Sequence, residues 1–195
     1  CGVRHGGHPV RSGVRYVIGG FIALADTVEH VPRLNERGNR LLLATPQQQP
    51  DASTADEAPL RRAERLFEWG LMLNPLCTLC HQNLGDVRLK LDEPAKAEAS
   101  LRQHLRMLPK DADAHFGLGV ALRSQGRDAE AVDAYEAALR ISPTDFESWA
   151  NLAAALGSLG RYDDETAAYR RAVVLRPSDL KAWINLGISR TSAGR

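Results

Sequence analysis

A proline recurs at a constant step along this chain, at Pro75, Pro109, Pro143 and Pro177. Other residues keep the same step: Leu84, Leu118, Leu152 and Leu186; Asp111, Asp145 and Asp179; Gly126, Gly160 and Gly194. A period of this length constrains the fold strongly, because each unit must be one supersecondary element that buries its apolar face only against its neighbours. Between Pro109 and Pro143 the unit reads as two helices. Asp111 is placed to cap the first and Gly126 to end it in a left-handed conformation, while Ala131, Tyr135, Ala138 and Ile141 mark the second. The next unit repeats the plan with Asp145, Trp149, Leu152, Ala153, Gly160, Tyr169 and Ala172, and the last fragment with Asp179, Trp183, Leu186, Gly187 and Gly194. The expected architecture is mostly α, a right-handed solenoid of stacked hairpins with a concave and a convex face.

The period fades upstream. Leu60, Ala63, Leu66, Phe67, Leu71 and Leu73 form an apolar stripe that ends at Asn74-Pro75 and predicts the second helix of a partial unit over residues 60–77. Complete units are then expected over 78–111, 112–145 and 146–179, with a partial one over 180–195. Residues 44–59 hold no large apolar side chain and are rich in Gln, Pro, Ala and acidic residues, the composition of a flexible linker. Before it, residues 14–24 are β-branched and aromatic and read as a buried strand after a strand and a turn, and 26–43 as a short helix bent at Pro32 and stopped near Gly38. Two strands cannot bury a core alone, so residues 1–43 are expected to be the end of a domain whose other strands lie upstream. The chain starts at Cys1 rather than methionine and stops at Arg195 within a unit, so it reads as a segment of a longer protein.

A formal net charge of +1, with 25% of residues charged, favours neither nucleic acid nor a membrane as partner. No apolar run approaches the ~20 residues of a membrane helix. Three cysteines, Cys1, Cys77 and Cys80, do not suggest a disulfide framework and favour a reducing, cytoplasmic setting.

Over residues 60–195 the pattern resembles the tetratricopeptide repeat, with an aromatic or histidine at 81, 115, 149 and 183, the repeating leucine, small residues in the second helix and a closing proline. Glu165 stands where Ala63, Ala97 and Ala131 stand, and His104 where Gly70, Ala138 and Ala172 stand, so looser packing is expected there. The resemblance implies a protein or peptide partner on the concave face. Asn83, Asn151 and Asn185 precede the repeating leucine, and the row they form resembles the asparagine ladder in the superhelix of O-linked N-acetylglucosamine transferase, where amides grip a peptide backbone. Gly117 breaks the row, and amides that merely solvate a helix are the alternative.

Two further motifs carry possible chemistry. Cys77-Thr-Leu-Cys80-His81 has the form of a c-type haem attachment site. His81, however, is in register with His115, Trp149 and Trp183, so reduced cysteines packed at a helix start are the preferred reading. At the other end, His5-Gly6-Gly7-His8-Pro9-Val10, with Arg15 ten residues after His5, resembles the last strands of prolyl 4-hydroxylase-type oxygenases that use Fe(II) and 2-oxoglutarate. The resemblance implies that residues 1–43 are a short β remnant of a double-stranded β-helix, or jelly-roll, domain. By it His5 would be an iron ligand and Arg15 would hold the distal carboxylate of 2-oxoglutarate, with His8 a turn residue. The family's His-x-Asp ligands have no counterpart, since no histidine here is followed two residues later by Asp or Glu. The expected function is thus an inactive oxygenase fragment fused to a binding array, and a scaffold without enzymatic activity is the alternative.

Overall fold

A computed structural model describes residues 15–18, 21–24, 27–43 and 59–194, with side chains over 30–42 and 59–194. Two short strands, β1 (Arg15–Ile18) and β2 (Phe21–Leu24), precede α1 (Thr27–Leu43), α2 (Pro59–Leu73), α3 (Thr78–Lys90), α4 (Pro94–Met107), α5 (Ala112–Ser124), α6 (Asp128–Ile141), α7 (Phe146–Ser158), α8 (Tyr162–Leu175) and α9 (Leu180–Ala193). Each helix packs on the one before and the one after, as expected of stacked hairpins.

The punctuation follows the period. Carboxylates of Asp111, Asp145 and Asp179 accept the backbone N–H of Ala114, Ser148 and Ala182 at 3.0, 2.8 and 2.8 Å, capping α5, α7 and α9. Gly126 and Gly160 turn between paired helices with φ of 75° and 72°, and Asp92 holds the same place one unit earlier with φ 57°. Aspartate is among the few residues besides glycine that tolerate this conformation. Inside each hairpin the first helix yields room to a large residue of the second. A Cβ on Gly85 would meet Leu101 at 2.6 Å, and one on Gly119 would meet the Tyr135 ring at 2.5 Å.

That same fit places α1. A Cβ on Gly38 would meet the Phe67 ring at 2.5 Å, and Phe67, Leu101, Tyr135 and Tyr169 hold one and the same position in successive units. Gly38 stands further from Phe67 in sequence than Gly85 does from Leu101 or Gly119 from Tyr135, so this hairpin is a repeat unit with an insertion between its helices. Leu41 and Leu42 pack on Ala63, Phe67, Leu84 and Val87, and Asn83 Nδ2 donates to Asn35 Oδ1 at 3.1 Å. The helix expected to stop near Gly38 instead continues to Leu43, with Pro32 inside it and its glycine buried against Phe67. Among the described residues α1 thus packs on α2 and α3. The expected linker, from 44 to 58, lies outside the described residues; Pro59 already begins α2.

The apolar run read as one strand over 14–24 is two strands paired antiparallel, with Ile18 opposite Phe21 and Arg15 opposite Leu24. A two-stranded ribbon does not by itself show the jelly-roll remnant expected from the sequence.

The contacts between neighbouring units change character along the array. At one register position stand Glu64, Glu98, Val132 and Thr166. Glu64 accepts from Arg61 (2.9 Å) and Arg88 (3.0 Å), and Arg88 also donates to Glu68 (2.7 Å) and Ser100 (2.8 Å). Glu98 accepts from Gln125 and Arg127, each at 2.8 Å. Val132 belongs to the apolar core with Leu156, and Thr166 shares a hydrogen bond of 2.9 Å with Ser189. Burial alone would raise the Glu64 and Glu98 carboxyls, but the hydrogen bonds from their partners hold both below the usual range.

The two departures from small residues are accommodated rather than loose. His104 is fully buried, with Nδ1 2.9 Å from the Thr78 carbonyl and Nε2 2.8 Å from Asp111 Oδ2. Glu165 is half-buried with its carboxylate against Gly157, and burial raises that carboxyl.

Candidate functional site

The first helices α3, α5, α7 and α9 carry the expected asparagine row, and each amide sits differently. Asn83 is turned to Asn35 of α1. Asn151 Nδ2 donates to the Glu147 carbonyl at 2.9 Å, while its Oδ1 is 3.5 Å from Arg123 Nη1. Asn185 is exposed and hydrogen-bonded with the Tyr169 hydroxyl. At Gly117, where the row breaks, a Cβ would already lie 3.3 Å from Leu101, so a larger side chain would have to displace that leucine.

Asn151 borders two hollows. One, of about 310 Å³, lies between α7, α8 and α9 and is lined by Phe146, Glu147, Tyr169, Arg176 and Asn185 among others. Arg176 lies 3.8 Å over the Phe146 ring and donates to Glu147 at 2.9 Å, fixing one wall. The other, of about 290 Å³, is lined by Val120, Arg123, Ser124, Tyr135 and Asn151.

Tyr135 and Tyr169 are one repeat apart, and so are Asn151 and Asn185. The pairing made in the later unit is absent in the earlier one. Among the described residues the Tyr135 hydroxyl has no hydrogen-bond partner, although the side chain is 0% exposed. Burial pushes its phenol up to about 12, so it is a donor at neutral pH. A hydroxyl buried without a partner costs roughly 1–3 kcal/mol, which an acceptor entering the hollow would recover. Arg123 and Ser124 add donors beside it, so the hollow suits a carbonyl or carboxylate oxygen. Tyr135 reads in sequence as a packing residue only, although Tyr135 precedes Asn151 by the same interval as Tyr169 precedes Asn185.

The Cys-x-x-Cys-His motif resolves into two parts. His81 Nε2 lies 3.1 Å from the Pro75 carbonyl, as His115 does from Pro109 (3.0 Å), and the indole N–H groups of Trp149 and Trp183 donate to Pro143 and Pro177 at 2.9 Å. A carbonyl can only accept, so each ring tethers its helix to the preceding loop through an N–H. Cys77 and Cys80 are joined by a disulfide, which corrects the expectation of reduced thiols.

The proposed iron ligand His5 lies outside the described residues, and Arg15 is described only as a backbone position paired with Leu24 in β1. The described residues contain no cluster of three or more His, Cys, Asp or Glu side chains that could hold a metal, and no helix among them is long and apolar enough to cross a membrane.

No curated protein is matched by the chain. Two crystal structures of MamA share its fold: one at TM-score 0.73 and 19% identity, covering 86% of this chain and 84% of that one, the other at 0.68 and 21%, covering 70% and 80%. The crystal structure of YrrB, described as a TPR protein with an unusual peptide-binding site, matches at TM-score 0.68 and 17% identity over 87% of this chain and 79% of that one. Two family models described as tetratricopeptide repeat match residues 83–146 and 134–166, so the units over those residues are similar to that family.

Proposed function

We propose that this chain acts without enzymatic activity of its own, as a scaffold whose repeats bind an extended peptide or protein segment across α5, α7 and α9. The observation that carries this reading is the Tyr135 hydroxyl, buried without a partner at the foot of a hollow bordered by Asn151 and Arg123. A main-chain carbonyl or an acidic side chain of the peptide would accept from Tyr135 and Arg123, while the amides of Asn151 and Asn185 would meet the peptide backbone on the concave face. The described peptide-binding site of YrrB, a neighbour in fold, supports a peptide as the ligand class.

The test is binding of a fluorescent peptide library to the full chain. Replacing Asn151 and Asn185 together by Ala should weaken bound peptides about tenfold, the loss of one to two hydrogen bonds, while lowering stability by only about 1 kcal/mol through the lost Tyr169 contact. Unaltered affinity, or a large fall in stability, would overturn the assignment. Hydroxylation by a longer parent, through His5 on iron and Arg15 on 2-oxoglutarate, rests on sequence spacing alone; a His-x-Asp motif upstream of Cys1 is what it requires.

A further inference from the structure

Four repeats start a first helix in the same way, and one of them does so with different atoms. Cys77 stands where Asp111, Asp145 and Asp179 cap α5, α7 and α9, and Cys80 stands where Ala114, Ser148 and Ala182 stand. Geometry of the cap is retained: Cys77 Sγ accepts the Cys80 N–H at 3.2 Å. Aspartate is among the best capping residues, and three sister helices fold with it, so the fold does not demand a cysteine pair here.

The surroundings depart in the same repeat. Met72 stands where Arg106 and Arg140 stand in the next two, Leu76 where Lys110, Thr144 and Ser178 stand, and Leu79 where Asp113, Glu147 and Lys181 stand. These three side chains are 65%, 72% and 59% exposed, an apolar collar at positions that are polar in the next two repeats. The sulfurs are also unequal. Cys77 is half-buried, whereas Cys80 is 1% exposed and its sulfur lies against Gly70, where a Cβ would come within 2.9 Å.

We propose that Cys77–Cys80 is a redox-active disulfide that exchanges with a cysteine pair of a partner protein docked on the Met72, Leu76 and Leu79 collar, Cys77 being the sulfur that forms the mixed disulfide. A partner thiolate attacks Cys77 Sγ; the bond to Cys80 breaks, and Cys80 leaves as a thiolate that takes up a proton. A second partner thiolate attacks the partner's own sulfur in the mixed disulfide and releases Cys77. The partner pair loses two electrons and becomes a disulfide, while Cys77 and Cys80 gain them and the two protons given up by the partner's thiols. Run backwards, the same steps reduce a partner disulfide, with Cys77 as nucleophile and its thiolate favoured by the N-terminal N–H groups of α3.

The experiment uses the full chain in a Cys1→Ala background, so that only this pair reports. Native protein is treated with dithiothreitol, alkylated and weighed by mass spectrometry; modification of Cys77 without denaturant is expected, and resistance of Cys77 until denaturant is added overturns the proposal. With Cys80→Ser added, the pH dependence of Cys77 alkylation should have its midpoint at least about one unit below the free-thiol value of ~8.5. A midpoint at or above that value, equal to the urea-unfolded control, overturns the role of Cys77. Leu76→Ser with Leu79→Ser should slow reduction by a leucine-flanked peptide dithiol about threefold or more and leave the rate with dithiothreitol unchanged. Equal rates with the peptide, or equal slowing with both reductants, overturn the collar as a docking surface.

Discussion

Replacing Tyr135 by Phe removes one oxygen and nothing else from a fully buried ring. That ring packs on Gly119 and lies 5.9 Å from the Phe116 ring, contacts a phenylalanine keeps. The hydroxyl that goes has no partner among the described residues, and burying it costs roughly 1–3 kcal/mol. At the lower end of that range, Tyr135→Phe should stabilise the chain by about 1 kcal/mol, or about 2–4 °C in Tm for a chain of this size. Tyr169→Phe is the matched control. There the hydroxyl is paired with Asn185, and its loss should destabilise by about 1 kcal/mol. Thermal unfolding followed by circular dichroism reads both, and the peptide titration should show Tyr135→Phe weakening binding about threefold to tenfold. The reasoning fails if both variants lose stability alike, which would mean that the Tyr135 hydroxyl is satisfied in the unliganded protein. A more stable variant that binds peptide as well as before would instead remove Tyr135 from the site.

Glycines on the first helices should respond in opposite ways to alanine: Gly119→Ala, whose Cβ would strike the Tyr135 ring, should destabilise by about 1–3 kcal/mol, while Gly187→Ala, with nothing within 4 Å, should stabilise by about 0.5–1 kcal/mol in chemical denaturation. Burial raises the Asp86 carboxyl, with Lys90 opposing it, so the fold favours its proton-bound form and loses stability as pH rises through that value. Asp86→Asn should therefore raise Tm at pH 7 and lose its advantage in acid, below the ordinary carboxylate range; a lower Tm at pH 7 would contradict this. Trp149→Ala should cost about 3 kcal/mol and Trp183→Ala about half of that, since Trp183 is already 49% exposed; equal losses in urea titrations would show that both rings matter mainly through their bonds to Pro143 and Pro177.

The constant step makes the array legible because every unit repeats the same caps, glycines and ring positions, so Asp111, Gly126 and Tyr135 can each be placed by counting. Counting fails where the step is broken. The insertion between α1 and α2 puts Gly38 out of phase with Gly85, and in sequence α1 groups with the strands before it, although its glycine fits Phe67 as the others fit their partners. The asparagine row is legible as a row, but not as three different amides, because the turn of Asn83 toward Asn35 and the contact of Asn151 with Arg123 depend on neighbours from other helices. His104 shows the same limit. In sequence it is a large residue at a small-residue position, and only the packed unit reveals that the Thr78 carbonyl and Asp111 wait on either side of its ring. The disulfide escapes a count of cysteines because that count speaks to frameworks, whereas a pair three residues apart at a helix start is a local matter.

The shift from ionic to neutral contacts between successive units gives the array a polarity that its helices alone would not have. In a stack where each unit leans only on its neighbours, fraying starts at whichever coupling is weakest under the prevailing conditions. Acid protonates Glu64 and Glu98, whose depressed carboxyls contribute stability only above their folded values, and so loosens the joints between α2 and α3 and between α4 and α5. Val132 in the apolar core and Thr166 against Ser189 carry no charge to neutralise. Solvent thus selects the end from which this rod unzips: proton concentration peels it from the first repeat, while loss of the hydrophobic drive in denaturant reaches the last repeats as readily as the first.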